Sequence, residues 1–363
     1  MNTPGNNVLI IAEIGVNHNG SLELARELID AAAKAGVDIV KFQGFSAGKL
    51  ASESAPKANY QTRSTGQQES QLEMLRKLEL SEEDFLSLAE YSAKKKLEFM
   101  LTPLDVDYVN FIDTKLNSKQ IKLGSGALTN GPLLLASART LRPVILSTGL
   151  STLQDIENAL QLMVFGYLTP EEKIPTASLL EGITNDTYAQ TLLKDNVSLL
   201  HCTSEYPAPR GEVNLNAMRT LSDTFGLTVG YSDHTEGIDV SIMAACAGAK
   251  IIEKHMTLDC SLEGPDHSAS IEPAEMQSLV RGVRDVERVL GSANKEPTAS
   301  EIQNANIVRQ SLTVSRAIKK GDKFSSDNLT VKRPGHGISP MKYWDWIGRI
   351  AERDYAPDEV IEK

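Results

Sequence analysis

The sequence predicts an α/β fold, a (β/α)8 TIM barrel over residues 1–290, followed by a small β-rich domain. Eight short apolar runs, each ending in small or polar residues, alternate with helical patterns through the first part of the chain. Alternating strands and helices indicate a parallel sheet, and eight repeats suggest that the sheet closes. The alternation stops near residue 290. A polar linker is predicted at 291–306, and brief strands and turns at 307–363 form the second domain.

Each element has a local signal. Ser21 is placed to cap a helix over 21–36, and Ser81 begins a near relative of the capping box in a helix over 81–96. A loop-rich excursion is expected at 164–196. The predicted strands cover 8–13, 37–43, 97–103, 120–126, 143–149, 197–207, 227–234 and 250–256, and the other helices cover 130–140, 152–163, 215–225, 238–248 and 274–290.

A doubly wound open sheet is the structural alternative. That fold usually carries a glycine-rich first turn that binds a dinucleotide phosphate. The corresponding segment here is GVNHNG at 15–20, which does not match GxGxxG. The barrel is therefore the preferred interpretation.

Composition limits the class of function. Hydrophobic residues make up 41% and charged residues 23%, which is typical of a soluble globular protein. No apolar run reaches the length of a membrane span, and the N-terminal residues lack a secretory signal pattern. The net charge of −11 argues against a nucleic-acid partner, but it leaves room for a small anionic substrate. Three cysteines without a CxxC pair are typical of the reducing cytoplasm.

Polar residues gather where the predicted strands end, which is where barrel enzymes carry their chemistry. Side chains alternate along a strand, so Glu13 shares a face with apolar Ile11, Lys41 shares one with Gln43, and Glu253 shares one with His255. If these faces point inward, the barrel mouth holds a carboxylate, a lysine, an amide and an imidazole.

Two lysines near strand ends favour an anion site. Lys41 alone is better explained as half of a structural ion pair, because an unpaired buried charge is costly. Lys41 together with Lys122 fits a bound phosphate or carboxylate better. Hydroxyl side chains on nearby strand ends strengthen this hypothesis: Thr102, Ser125 and Ser147.

His234 and His255 lie 21 residues apart at the ends of consecutive predicted strands. Two neutral imidazoles at neighbouring strand ends can point at one ion. The sequence has neither an HExxH motif nor a cysteine cluster, which would indicate zinc. Two histidines with oxygen ligands from substrate and water suit an octahedral cation. Mn²⁺ is expected, with Mg²⁺ as the alternative.

Several motifs together resemble the sialic acid synthase family. They include IAEIGVNHNGSLELARELIDAAAKAGVDIVKFQ (11–43), LLHCTSEYPAP (199–209), GYSDHT (230–235) and IEKHMT (252–257), with STGLS (147–151) and GPDHSASIEP (264–273) between and after them. Residues 309–361 resemble the antifreeze-like (SAF) domain of the same family. The resemblance spans nearly the whole chain.

The resemblance implies a TIM-barrel enzyme that condenses phosphoenolpyruvate with an N-acetylmannosamine-type sugar to a nine-carbon 2-keto acid and phosphate. It implies a divalent cation held by His234 and His255, and a homodimer in which the SAF domain of one subunit caps the other subunit's site. Glu13 would transfer a proton near the attacking water or hold a sugar hydroxyl. The implied phosphoenolpyruvate ligands are Lys41, Thr102, Lys122, Ser125, Ser147, Ser204 and Ser232, and the implied sugar ligands are Gln43, Tyr206, Asp266 and Arg333, the last from the partner.

Two positions depart from the family pattern. Members often have an acidic residue where Ala127 stands, and neuraminate synthases often have Asn where Ser204 stands. The segment at 57–81 resembles the bacterial N,N'-diacetyllegionaminic acid synthases, whose acceptor is 2,4-diacetamido-2,4,6-trideoxymannose.

Other functions stay open from the residues alone. An N-acetylneuraminate or pseudaminate synthase would keep the chemistry and change the acceptor. An aldolase would use Lys41 or Lys122 to form a Schiff base. A binding module built on the C-terminal domain is the non-enzymatic alternative, which the polar rim of the barrel makes less attractive.

Overall fold

The computed structural model describes residues 7–57, 61–62, 69–169 and 173–362. Residues 58–60 and 63–68, within the segment that suggests the legionaminic acid subgroup, lie outside the described residues, as do the first six residues. The chain divides into two compact units, Met1–Gly291 and Ser292–Lys363.

The first unit is built on eight parallel strands. Their hydrogen-bonded order is β3-β2-β1-β8-β7-β6-β5-β4, and β3 also packs against β4, which closes the barrel. The predicted fold class is confirmed. The strands are β1 (Leu9–Gly15), β2 (Ile39–Gly44), β3 (Glu98–Pro103), β4 (Ile121–Leu123), β5 (Val144–Ser147), β6 (Val197–Cys202), β7 (Thr228–Asp233) and β8 (Ile251–His255).

Helices cover the outside of this barrel. Ser21 caps the first by accepting a hydrogen bond from Leu24 N, and Ser81 and Asp84 form a complete capping box on α4. The helices are α1 (Leu22–Ala35), α2 (Ala47–Leu50), α3 (Gln71–Arg76), α4 (Glu82–Lys94), α5 (Val106–Phe111), α6 (Gly131–Arg139), α7 (Leu153–Leu168), α8 (Ala177–Leu180), α9 (Thr187–Asn196), α10 (Ala217–Phe225), α11 (Asp239–Cys246) and α12 (Pro273–Leu290).

An apolar layer fills the barrel below its polar mouth. It comprises Ile11, Ile39, Met100, Ile145, Leu200 and Ile251, all buried. Each such side chain contributes roughly 1.5–3 kcal/mol by leaving water. Glu13, Lys41 and Glu253 stand two residues further along their strands, so the alternation places them on the same inner face, one layer closer to the mouth.

The prediction of a loop-rich excursion at 164–196 is wrong in part. Helix α7 continues to Leu168, and α9 occupies Thr187–Asn196. Asp186 starts α9 by accepting hydrogen bonds from the backbone of Tyr188 and Ala189. Ala189 and Leu193, one helical turn apart, are its buried residues.

The second unit contains a small antiparallel sheet. Strand β9 (Ser311–Val314) pairs with β10 (Leu329–Lys332), and the core includes Leu312 and Phe324. Helix α13 (Ala299–Val308) occupies the second half of the segment expected to be a linker, and α14 (Tyr343–Trp346) is a single turn. None of the helices in the described ranges has the length and apolar character needed to cross a bilayer.

Candidate active site

The first strands bring a carboxylate and a lysine together. Glu13 on β1 is the register partner of Lys41 on β2 and of His255 on β8. Lys41 Nζ lies 2.5 Å from Glu13 Oε2, and Gln43 Nε2 donates to Glu13 Oε1 at 2.9 Å. Glu13 and Lys41 are both buried. Neighbouring parallel strands therefore hold three predicted site residues in one hydrogen-bonded group.

Glu253 on β8 lies between the two lysines. Its Oε2 is 3.6 Å from Lys41 Nζ, and its Oε1 is 3.6 Å from Lys122 Nζ. Burial raises the pKa of Glu253, but Lys122 and Lys41 outweigh it and lower that pKa to about 2. Burial lowers the pKa of Lys122, whereas Glu13 and Glu253 overcome burial and hold the pKa of Lys41 above its ordinary value.

Hydroxyl groups complete the surroundings of both lysines. Lys41 Nζ donates to Thr102 Oγ1 at 3.2 Å, and Lys122 Nζ donates to Ser147 Oγ at 2.8 Å. Ser232 Oγ donates to Glu253 Oε1 at 2.8 Å. With Glu13 on β1, the side chains of seven strands converge on one buried, highly polar layer. Hydroxyls and ammonium groups are donors, as recognition of a phosphate or carboxylate requires.

A second group of small polar side chains surrounds Gly149, just after β5. Ser125 Oγ accepts a hydrogen bond from Gly149 N at 3.1 Å and lies 3.0 Å from Cys202 Sγ. A Cβ on Gly149 would meet Ser204 Oγ, as well as Ser125 Oγ at 2.7 Å and Cys202 Sγ at 2.9 Å. Burial raises the pKa of Cys202, which is typical of an unreactive structural thiol.

The two histidines face one another across the ends of β7 and β8. Their ring centroids are 5.5 Å apart, and the ring of Tyr206 lies 4.1 Å from His234 and 5.5 Å from His255. His234 Nδ1 donates to the carbonyl of Thr203 at 2.7 Å, which leaves Nε2 as the lone-pair nitrogen. His255 Nδ1 is buried and has no hydrogen-bond partner in the structure.

Both imidazoles fit a metal ion in protonation state, and His255 also has unmet bonding capacity, whereas His234 Nε2 lies 3.4 Å from Ser232 Oγ. Burial, followed by the charge of His255, lowers the pKa of His234 to about 3, and burial followed by Lys41 does the same for His255. Both rings are therefore neutral at pH 7, as ligation requires. Among the described residues, no group of three or more histidine, cysteine, aspartate and glutamate side chains could hold a metal. Any cation here would depend on non-protein oxygen ligands as well.

Asp266 approaches the histidines from the loop after β8. Its Oδ2 lies 3.8 Å from His255 Nδ1, and its side chain is almost fully buried. Burial, with a smaller effect of Glu13, raises the pKa of Asp266 to about 7. The site can therefore hold this carboxyl in either protonation state near neutral pH.

The structure brings most of the predicted site residues together. Contacts join Glu13, Lys41, Gln43, Thr102, Lys122, Ser147 and Ser232 in one group, and join Tyr206, His234, His255 and Asp266 in another. Ser125 and Ser204 adjoin Gly149. Arg333 belongs to the second unit, where it is exposed directly after β10.

Glu253 was not among the residues predicted to bind either substrate. Its signal in the sequence was its position on the same strand face as His255, together with the need of two buried lysines for an anionic partner. The arrangement as a whole can bind a small multiply charged anion beside a pair of neutral imidazoles. This is a chemistry of positioning and charge stabilisation.

Comparison with known proteins identifies the family. The profile described as the NeuB family matches residues 28–295. The chain belongs to the NeuB family. A SAF domain matches residues 309–363, so the resemblance predicted from the motifs is confirmed for both units. The chain is thus an enzyme of this family of synthases.

Three relatives show how closely the NeuB-family chain matches known proteins. N,N'-diacetyllegionaminic acid synthase of Campylobacter jejuni is 44% identical over 98% of this chain and 99% of that protein. The synthase of the same name from Legionella pneumophila is 44% identical over 93% of this chain and 89% of that protein. The crystal structure of N-acetylneuraminic acid synthetase from Leptospira borgpetersenii, in complex with citrate, has a TM-score of 0.67 at 33% identity, covering 82% and 90% of the two chains.

Proposed function

We propose that this NeuB-family enzyme condenses phosphoenolpyruvate with 2,4-diacetamido-2,4,6-trideoxymannose, giving N,N'-diacetyllegionaminic acid and phosphate. The observation that carries the proposal is the buried layer in which Lys41 and Lys122 face Glu253 beside two neutral imidazoles. The choice of acceptor follows the relatives that are 44% identical over nearly full length and carry that product in their name.

Phosphoenolpyruvate would be held by charge and by hydroxyl donors. Lys41 with Thr102 and Lys122 with Ser147 form two donor pairs 3.2 and 2.8 Å across. The hydroxyls of Ser125, Ser204 and Ser232 lie on neighbouring strand ends and would supply further donors. An ammonium group beside a hydroxyl satisfies phosphate and carboxylate oxygens well.

The sugar would react as its open-chain aldehyde. Gln43, Tyr206 and Asp266 lie near Glu13 and the two histidines, where they would orient the sugar hydroxyls and amides. Holding the aldehyde carbon against C3 of phosphoenolpyruvate turns a bimolecular reaction into an intramolecular one.

The bonds balance over three steps, which are carbon–carbon bond formation, addition of water and loss of phosphate. C3 of phosphoenolpyruvate forms a carbon–carbon bond to the aldehyde carbon, the aldehyde oxygen takes up a proton to become a hydroxyl, and positive charge develops at C2. Water adds to C2 and gives up a proton, which Glu13, a buried carboxylate of the group, would accept. The bond from C2 to the phosphate oxygen then breaks, phosphate leaves with that bridging oxygen, and the C2 hydroxyl loses its proton to form the 2-keto group.

His234 and His255 would hold a divalent cation, Mn²⁺ in preference to Mg²⁺. When bound, such an ion supplies Lewis acidity toward a carbonyl oxygen. The support for this assignment is the neutrality of both rings and the unpartnered Nδ1 of His255. Removing the ion with a chelator is expected to abolish turnover, and adding back Mn²⁺ to restore it.

The protein is further proposed to act as a cytoplasmic homodimer. In this arrangement Arg333 of one subunit completes the sugar site of the other. Its exposed position after β10 leaves the guanidinium available for such a contact. The three cysteines are free thiols, and Cys246 is exposed, which suits a reducing compartment.

A product assay tests the proposed function. The enzyme with Mn²⁺ and phosphoenolpyruvate is offered the diacetamido-trideoxymannose, N-acetylmannosamine and the altrosamine derivative that a pseudaminate synthase uses. Mass spectrometry is expected to show the legionaminic acid mass with at least tenfold greater kcat/KM than for the other acceptors. Preference for another sugar would reassign the acceptor, and absence of any keto acid would reject the synthase.

The aldolase alternative gains one supporting observation. Burial lowers the pKa of Lys122, which increases the fraction of neutral, nucleophilic amine. Borohydride reduction in the presence of pyruvate separates the two mechanisms, because an aldolase lysine forms an imine with a keto group, which phosphoenolpyruvate lacks. The synthase predicts an unmodified protein mass, whereas an aldolase would become covalently labelled at this lysine.

A further inference from the structure

A fully buried polar cluster lies behind the two histidines. Asp233 on β7 and Lys254 on β8 are register partners, and both side chains are inaccessible to solvent. Lys254 Nζ lies 3.1 Å from Asp233 Oδ2. Asp233 immediately precedes His234, and Lys254 immediately precedes His255. Strand alternation places this pair on the opposite strand face from Ser232 and Glu253.

The cluster fixes the turn that carries His234. Asp233 Oδ1 accepts hydrogen bonds from the backbone N and the hydroxyl of Thr235, each at 2.8 Å. Lys254 Nζ donates to the carbonyl of the same Thr235. His234 therefore lies between two residues that are both tied to one lysine on the neighbouring strand.

The same carboxylate reaches the outer helix layer. Ser241 on α11 donates to Asp233 Oδ2 at 2.6 Å, and its side chain is also buried. The ends of β7 and β8 are thus joined to each other and to α11. On the inner face, the ring of His255 has no hydrogen bond at Nδ1 that could orient it.

We propose that Asp233 and Lys254 are positioning residues that hold the two imidazoles at the separation at which they bind one divalent cation. This inference rests on the proposed metal site. A buried ion pair is weak evidence for stability, because apolar replacements are often equally stable. Apolar residues could not hold the ends of β7 and β8 at a fixed distance in this way. Lys254 does so by contacting both the Asp233 carboxylate and the carbonyl of Thr235.

Mn²⁺ binding by the full-length protein tests the proposal without using activity. Manganese chloride is titrated into the protein and followed by electron paramagnetic resonance, with circular dichroism and melting temperature recorded for each variant. Lys254→Met is expected to weaken Mn²⁺ binding by about 10–100-fold, the usual effect of losing a residue that supports metal ligands. Ser241→Ala, which removes one hydrogen bond of the cluster, is expected to weaken it less.

Phe85→Leu provides the matched control. Phe85 is buried on α4, which packs near β3, three strands from β8 in the sheet order, so this variant loses stability without touching the cluster. Mn²⁺ affinity equal in Lys254→Met and Phe85→Leu, at a similar loss of melting temperature, would overturn the positioning role. If Lys254→Met does not fold, Ser241→Ala becomes the test of the positioning role. Unchanged Mn²⁺ affinity in that variant would then overturn the role.

His234→Ala separates failure of this inference from failure of the metal site. Binding by the wild type that is lost in His234→Ala supports the site itself. If the wild type and His234→Ala bind Mn²⁺ equally, or neither binds, the proposed metal site fails and the positioning role fails with it. The product assay would then be the remaining test of the proposed synthase reaction.

Discussion

At the scale of single residues, the side chains around Gly149 leave no room for a larger residue at this position. A Cβ at this position would collide with the hydroxyls of Ser204 and Ser125 and the thiol of Cys202. We expect Gly149→Ala to turn these side chains away from the proposed phosphate site. KM for phosphoenolpyruvate should rise about tenfold, equivalent to about 1.4 kcal/mol, with little change in melting temperature. Unchanged steady-state kinetics would show that these side chains do not bind the phosphate.

Buried His18 is expected to make the stability of the protein depend on pH. Burial lowers its pKa from 6.5 to about 4, so the unfolded chain takes up the proton first as the pH falls. The free energy of unfolding should therefore decline between about pH 6.5 and 4, by up to about 3 kcal/mol from this residue. Urea unfolding of wild type and His18→Gln across this range measures the difference. A difference in unfolding free energy between the two proteins that stays constant with pH would contradict this role of His18.

Residue identity predicted the inner face of the site well but not its contacts. Lys41, Glu253 and His255 could be assigned to that face because the strand period of two permits no other arrangement once Ile39 and Ile251 are inside. The contact of Ser125 with Cys202 could not be predicted. These residues stand at the ends of β4 and β6, which are separated by β5, and only the closed barrel brings them together.

At the scale of elements, Gly230 allows β7 and β8 to pair closely. A Cβ there would meet the backbone oxygen of Ile251 and, at 2.7 Å, the side chains of Ile251 and Leu200. Gly230→Ala should destabilise the fold by about 2–3 kcal/mol, because backbone atoms cannot move aside cheaply. Gly48→Ala is the control, since nothing lies within 4 Å of its Cβ. Equal unfolding midpoints for the two variants would refute the close approach.

Among the helices that were not predicted, the two longest, α9 and α13, have an identifiable reason. Helix α13 exposes its apolar residues Ile302, Ile307 and Val308, so no buried stripe marks it as helical. Helix α9 buries only Ala189 and Leu193, which is too little periodicity to recognise among polar neighbours. The barrel helices α1 and α12, which bury four or five residues each, were placed correctly.

At the scale of the whole molecule, the proposed homodimer predicts complementation between defective subunits. Lys41→Met removes the barrel site and Arg333→Ala removes the proposed capping residue, so each homodimer should be nearly inactive. Randomly assembled mixtures should recover about a quarter of wild-type activity, since half the dimers then carry one intact site. Arg316→Ala, another exposed arginine of the second unit, should keep full activity. No recovery on mixing would place Arg333 in its own subunit's site, and full activity of the Arg333→Ala homodimer would place it in neither.

The fate of the bridging oxygen of phosphoenolpyruvate tests the central claim most directly. Phosphoenolpyruvate labelled with ¹⁸O at the C2–O–P position is incubated with the enzyme, Mn²⁺ and the diacetamido sugar, and both products are analysed by mass spectrometry. Attack of water at C2, beside the paired lysines and imidazoles, predicts that the label leaves entirely in inorganic phosphate. Label retained in the nine-carbon keto acid, or phosphate released at the same rate without sugar, would contradict the account.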